Sequence, residues 1–568
     1  MISWYFVLSL ILQQAYFLKS FRLNTNHGCI DGHPTEVHPD VTEFLGVPFA
    51  LPPIGPLRFK PPKILTHNYY NYAGHCFNAM YPAKACLFKR KAVGFVSIDE
   101  WQPKNNEMHE NCLRLNMWVP KNKTGGVMVF FNGRTYHRGF GSLPQYDATI
   151  LSHKTGLIVV NVNYRNGVLG FAHLKRKKFV PGNIGLLDQQ MALQWVYENI
   201  KYFGGKQSMI TLFGIGTSGS AATAHMLSEG SKKYFSRVIA SSGTIINDFG
   251  YEKSSIIEKN IKKLVYRLKC NYKKYEKKVK CMQKMNASII VDEADRIRNP
   301  KQFEIRYPFI AVDNDGIFFK KSIKKLLAKG KFKTDVDILI GQTTNEPSIF
   351  IFNYLKGKKF GCSFDPRKSV KDTVNQCNMN KRHYLNTIVK VTEAYKLKRI
   401  AVSKIAKLYE WPKERSYRDR AIRIIADFVF DCNIVEFGRK ISHFILKGSK
   451  YYYVLGRRVS ITPWPLYMGA THDYQTHYMF GHPFLNPSVY GKKVEEEQKF
   501  SHQIMNTLSK FATTGKLYTN WPQFTFKNMV AVNITHVLKP GEKFPIIDVY
   551  SKQCQMIKFI KHRYRYRR

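Results

Sequence analysis

The sequence predicts an α/β protein with one large, mostly parallel central sheet flanked by helices. Three observations predict it. Short apolar runs rich in β-branched residues recur along the chain without polar alternation, the mark of strands covered on both faces. Stretches with apolar residues at helical spacing fall between them, and strand–helix alternation builds a parallel sheet. Apolar residues make up 44% of the 568 and aromatics 14%, which fills a sizeable core and excludes a disordered basic chain.

In chain order, residues 126–131 and 157–163 read as buried strands. Residues 185–203 read as a helix. Residues 209–213 form the next strand, followed by small residues and a helix running to Met226. Residues 336–340 add a further strand. The Lys-rich stretches 253–284 and 320–333 read as helices, either with plainly solvated faces or as an anion-binding surface. No internal repeat and no Pro/Ser-rich linker divides the chain, so residues 21–568 are expected to form one domain.

Residues 1–20 read as a secretory signal peptide. The apolar run from Trp4 to Leu12 is shorter than the roughly 20 residues of a membrane span. No later stretch is long and apolar enough to cross a bilayer. Ten cysteines, an even number, fit an oxidising compartment and disulfides, although spacing alone leaves the pairing open. None forms a CxxC or lies at zinc-ligand spacing from a histidine, so no metal and no cofactor is expected. Asn122, Asn286 and Asn533 head sequons and would accept glycans in a secreted chain. With 89 Lys+Arg against 40 Asp+Glu, the formal charge of +49 draws the protein to anionic partners. Nucleic acid is set aside, because no recognition motif is present and a secretory leader argues against it.

Four segments carry more specific information: Phe44-Leu-Gly-Val-Pro-Phe-Ala running into residues 52–62; Glu110-Asn-Cys-Leu-Arg-Leu-Asn-Met-Trp-Val-Pro; Asn161-Val-Asn-Tyr-Arg with Gly170-Phe; and Gly182-Asn-Ile-Gly-Leu-Leu-Asp-Gln-Gln through Gly204-Gly. Together they resemble the type-B carboxylesterase/cholinesterase family, the second segment being close to its EDCLxLNVW signature. The resemblance runs on to Cys554 and implies an α/β-hydrolase fold over residues 21–568. It also implies the disulfides Cys86–Cys112, Cys270–Cys281 and Cys432–Cys554. Cys29, Cys76, Cys362 and Cys377 are left over, with Cys29–Cys76 and Cys362–Cys377 as extra pairs. Arg58 with Glu110, and Arg165 with Asp188, match structural ion pairs of the family.

The same resemblance locates the chemistry. Ester hydrolysis on this fold needs a serine on a strand-to-helix turn, a histidine, an acid to orient it, and backbone N–H groups for the oxyanion. The family elbow G-E-S-A-G appears here as Gly214-Ile215-Gly216-Thr217-Ser218, so Gly216 stands in the nucleophile position. Glu346 and His472 stand where the family acid and base stand. Ser218 and Ser220 lie beyond the turn, and Thr217, at an oxyanion-donor position, faces away from where a nucleophile must act. The HGGG loop appears as Asn132-Gly133-Arg134-Thr135, and Arg134 is expected to plug the gorge or make a salt bridge in it. Trp101 falls about where cholinesterases receive a quaternary ammonium, but Ile215 replaces the acid that supports such a site. Trp101 therefore reads as packing first and ligand contact second.

The expected function is that of a catalytically inactive member of the family, in company with neuroligins, gliotactin and glutactin. Such a member acts in extracellular protein recognition or cell adhesion, often as a homodimer. Its charge points to an acidic extracellular protein or a sulfated glycan as partner, with retention at the cell surface by charge. Two rivals are a divergent carboxylic ester hydrolase and a ligand carrier that keeps the gorge for binding.

Overall fold

The structure is a computed structural model that describes residues 21–71, 74–174, 179–297, 307–410 and 415–566. The leader expected over residues 1–20 lies outside the described residues. The strands, in chain order, are β1 (Phe21–Thr25), β2 (Gly28–Pro34), β3 (Val41–Pro48), β4 (Phe77–Asn78), β5 (Arg114–Pro120), β6 (Val127–Phe131), β7 (Ile158–Val162), β8 (Ile210–Ile215), β9 (Arg237–Ser241), β10 (Glu252–Lys253), β11 (Val312–Asp313), β12 (Asp337–Thr343), β13 (Lys450–Leu455), β14 (Val530–Ile534) and β15 (Ile546–Asp548).

All but β10 and β11 join one sheet, in the order β1-β2-β3-β5-β7-β6-β8-β9-β12-β13-β14-β15, with β4 paired to β2. Every neighbouring pair from β7 to β14 is parallel. The path from β1 to β7 through β2, β3 and β5, and the pair β14–β15, are antiparallel. The mostly parallel sheet that the sequence predicts is therefore parallel through its middle and antiparallel at its margins. Short connections such as that between β1 and β2 can only make antiparallel pairs, whereas parallel neighbours need a helical crossover. β6, β7 and β8 are buried at every residue, which is why their sequences are apolar without alternation.

The helix Ile184–Asn199 continues as a tighter turn to Phe203. The helix Thr217–Met226 follows β8 and packs on β8 and β9. The first Lys-rich stretch is two helices, Ser254–Arg267 and Tyr275–Lys284, and the second holds only the short helix Ile323–Ala328. Ile257, Ile261, Leu264 and Val265 face inward on the first of these, leaving its lysines outside. Five disulfides close Cys29–Cys76, Cys86–Cys112, Cys270–Cys281, Cys362–Cys377 and Cys432–Cys554. Arg58 pairs with Glu110 and buried Arg165 with Asp188, each through both carboxylate oxygens. Among the described residues, no helix is long and apolar enough to cross a membrane.

Candidate functional site

β8 ends at Ile215, Gly216 makes the turn, and the helix Thr217–Met226 begins at once. Gly216 holds φ 59° and ψ −120°, a backbone shape that disfavours any side chain. The turn is also sterically closed. A Cβ on Gly214 would lie 2.1 Å from the Ser218 carbonyl oxygen, and one on Gly216 would lie 2.5 Å from His472 Nε2. The imidazole therefore occupies the space that a side chain at position 216 would need.

His472 sits in a buried chain of charges. Its Nδ1 lies 2.5 Å from Glu346 Oε2, and Glu346 Oε1 accepts the Thr343 N–H at 2.6 Å. On the other side, His472 Nε2 lies 3.6 Å from Asp473 Oδ1. Phe350 and Phe430 flank the ring, with centroids 5.5 and 5.3 Å away. Burial works against the imidazolium, but Asp473 and Glu346 outweigh it and raise His472 above the ordinary histidine range. The two carboxylates favour the charged form of this imidazole. The nitrogen that a general base would use faces Gly216, with Asp473 Oδ1 3.6 Å to its side.

Asp473 in turn accepts from Arg134, whose Nε lies 2.6 Å from Oδ2 and whose Nη2 contacts the same oxygen. Burial raises the Asp473 carboxyl, yet Arg134 and His472 together hold it below the usual range. The Arg134 guanidinium lies over the Trp101 ring, 4.4 Å from its centroid. Trp101 is 2% exposed. The chain's own cation thus covers the aromatic face that a ligand ammonium would use. Of the two outcomes expected of Arg134, the salt bridge is present, to Asp473.

The loop at residues 132–138 has its donors engaged. The Arg134 N–H donates to the Arg138 carbonyl at 2.6 Å, and the Thr135 N–H donates to Thr217 Oγ1 at 2.8 Å. Thr217 Oγ1, by accepting that N–H, ties the loop to the helix. Thr135 and Tyr136 hold φ of 61° and 54°, so the loop keeps left-handed backbone without glycine at either position. Ser218 Oγ donates to the Gly133 carbonyl at 2.9 Å and Ser220 Oγ to the Thr244 carbonyl at 2.8 Å, and both side chains are buried. Neither hydroxyl faces open space.

Asp473 is the residue that sequence reasoning missed. It lies next to His472, but its pairing with Arg134 spans 339 positions, and its φ of 70° is visible only in three dimensions. Of the sequons, Asn122 and Asn286 are exposed, while Asn533 is half-buried within β14.

The profile of the carboxylesterase family matches residues 19–549. The chain is 31% identical over 544 residues to the Cholinesterase of Mus musculus, covering 92% of this chain and 84% of that protein. It is 30% identical to the Acetylcholinesterase of Bungarus fasciatus, covering 86% of this chain and 76% of the relative. It is 29% identical to Acetylcholinesterase 1 of Caenorhabditis briggsae, covering 87% and 80%.

Proposed function

The chain belongs to the carboxylesterase family, and from that premise we propose that it is a secreted, non-catalytic, cholinesterase-like protein of extracellular recognition or adhesion. The observation that carries this reading is Gly216, a residue without a side chain at the elbow, with His472 Nε2 in the space a side chain would take. An acyl-enzyme needs a nucleophilic atom there, and glycine has none. Three further features support the reading. The donors of the Arg134–Thr135 loop are spent on Arg138 and Thr217, His472 lies between two carboxylates that favour its charged form, and Arg134 covers Trp101.

Five disulfides support an oxidising, extracellular setting, in which Asn122 and Asn286 are the better glycan acceptors. The carrier reading is weakened because Arg134 already fills the face of Trp101. The hydrolase reading remains the rival, because the relatives at about this identity are named cholinesterases.

One experiment separates the two. The purified chain is incubated with a fluorophosphonate probe and with short acyl esters. The expected result is no covalent labelling and no turnover, since loss of the nucleophile alone typically costs about 10⁶-fold. Labelling or turnover that disappears in a Ser218→Ala variant would establish a displaced nucleophile and overturn the proposal.

A further inference from the structure

Away from the elbow, an open cavity of about 740 Å³ lies beside the helix Tyr417–Ala426 and the wide turn Asp427–Asp431 that continues it. Its other walls come from the C-terminal ends of β12 and β13 and from β15. Small-molecule sites run roughly 300–1,000 Å³, and the carboxyl ends of parallel strands are where open α/β sheets bind ligands.

The cavity floor is electrostatically incomplete. Arg423, Asp427 and Asp431 follow at steps of four residues, and Arg423 Nη2 donates to a carboxylate oxygen of each aspartate. The second oxygen of Asp427 accepts from Tyr409 Oη at 2.6 Å. Asp431 is 4% exposed, and its Oδ1 has no hydrogen-bond partner. Tyr467 Oη, on another wall, has none either. Arg415, Arg418 and Arg423 line the cavity against Asp419, Asp427, Asp431 and Asp548, so the lining carries one carboxylate more than it has guanidiniums, in a chain whose formal charge is +49. Asp431 shares its one guanidinium with Asp427, and a buried carboxylate so partly compensated is costly until a further counter-charge reaches it. Ile422, Val454 and Ile547 supply apolar wall nearby.

We propose that this cavity binds a small amphipathic organic cation, its ammonium paired with the Asp431 carboxylate and its apolar body against Ile422, Val454 and Ile547. A proton is the competing occupant. Burial, then Asp427 and Glu346, push the Asp431 carboxyl up to about 7 against the opposing pull of Arg423. Tyr409 and Tyr452 also interact with this cluster, and Arg415, Arg418, Asp419, Tyr467 and Asp548 are the other charged or titratable groups that line the cavity. Ligand binding is accordingly tested above neutral pH, where the carboxylate is ionised. The inference is independent of whether the elbow is catalytic.

The test is calorimetric titration of the full chain at about pH 8 with 2-phenylethylamine, against 2-phenylethanol and phenylacetate as its neutral and anionic counterparts. The amine is expected to bind at least about 10-fold more tightly than either, the factor that one charge-assisted contact supplies. Asp431→Asn should remove that preference. Ile422→Trp, which keeps the carboxylate but fills the space, should remove binding altogether, and its thermal melt reports whether the fold is intact. The proposal is overturned if the alcohol binds as well as the amine, if both variants bind the amine undiminished, or if the parent binds none at about 10 mM, a level corresponding to under ~3 kcal/mol.

Discussion

A serine at position 216 would have to share space with an imidazole. Its Cβ would lie 2.5 Å from His472 Nε2 on a backbone at φ 59°. Gly216→Ser must therefore displace His472 from Glu346 and adopt a conformation that costs about 1–3 kcal/mol. We expect a lower melting temperature and no useful ester turnover in this variant. The oxyanion loop would still have its N–H groups engaged, and each missing donor is worth about 10²–10³-fold. A variant as stable as the parent would refute the steric argument, and brisk turnover would refute the claim about the loop. The same residues set a pH dependence. His472 titrates higher in the folded protein than the ordinary value of about 6.5. In that window the folded state binds more protons than the unfolded one. The histidine's contribution to stability is then full below about pH 6.5 and is lost as pH rises through the folded pKa. Thermal melts of the parent and of His472→Gln should converge as pH rises from about 6 to about 9. A gap that widens instead would mean that the imidazole is neutral in the fold.

At the scale of the element, the loop at residues 132–138 is held from three sides. Thr217 Oγ1 takes its Thr135 N–H, Ser218 Oγ donates to Gly133, and Arg134 reaches Asp473. Truncating Arg134 removes the third anchor and uncovers Trp101. Arg134→Ala should lose about 1.5–3 kcal/mol, the range for hydrogen bonds to a charged partner. It should also gain tetramethylammonium binding, read as quenching of tryptophan fluorescence, because Asp473 and the Trp101 face are then free for an external cation. A variant that binds this ion no better than the parent would show that Trp101 only packs.

How much of this was legible in the sequence depends on what fixes each position. Gly216 and Arg134 could be located because β8 and the Asn132-Gly133 pair anchor the register without gaps. The buried strands were legible because complete burial leaves runs with no polar alternation. Asp473 was not legible, since its role arises from a contact across 339 positions. The break between the two Lys-rich helices was missed because residues 268–274 hold no glycine or proline to mark it. Which strands form the antiparallel margins of the mostly parallel sheet was not legible, because an edge strand and a central strand can share one apolar pattern.

The whole molecule carries its excess charge unevenly. In the C-terminal helix Lys552–Arg563, Lys558 pairs with Glu436, and Lys561 donates to the Phe428 carbonyl and lies over Tyr395. Part of the positive charge of this helix is therefore absorbed into the fold. The two helices Ser254–Arg267 and Tyr275–Lys284, joined by Cys270–Cys281, are different. Lys259, Lys263, Lys273, Lys277 and Lys284 are exposed there, and among the described residues none of them pairs with a carboxylate. A linear polyanion could span both helices and replace the mutual repulsion of these lysines with attraction. Diffuse repulsion and specific polyanion binding differ in their response to salt. Simple salt screens both, shortening the Debye length from about 10 Å at 0.1 M to about 3 Å at 1 M. A bound polyanion instead stabilises the fold by mass action at concentrations far too low to screen. We therefore expect retention on immobilised heparin well beyond that of a neutral protein, and a rise in melting temperature with micromolar heparin that matched sodium chloride does not reproduce. Replacing the five named lysines with glutamine should abolish that rise, while replacing an equal number of other exposed lysines should not. If both sets weaken it alike, net charge rather than this two-helix face accounts for the attraction.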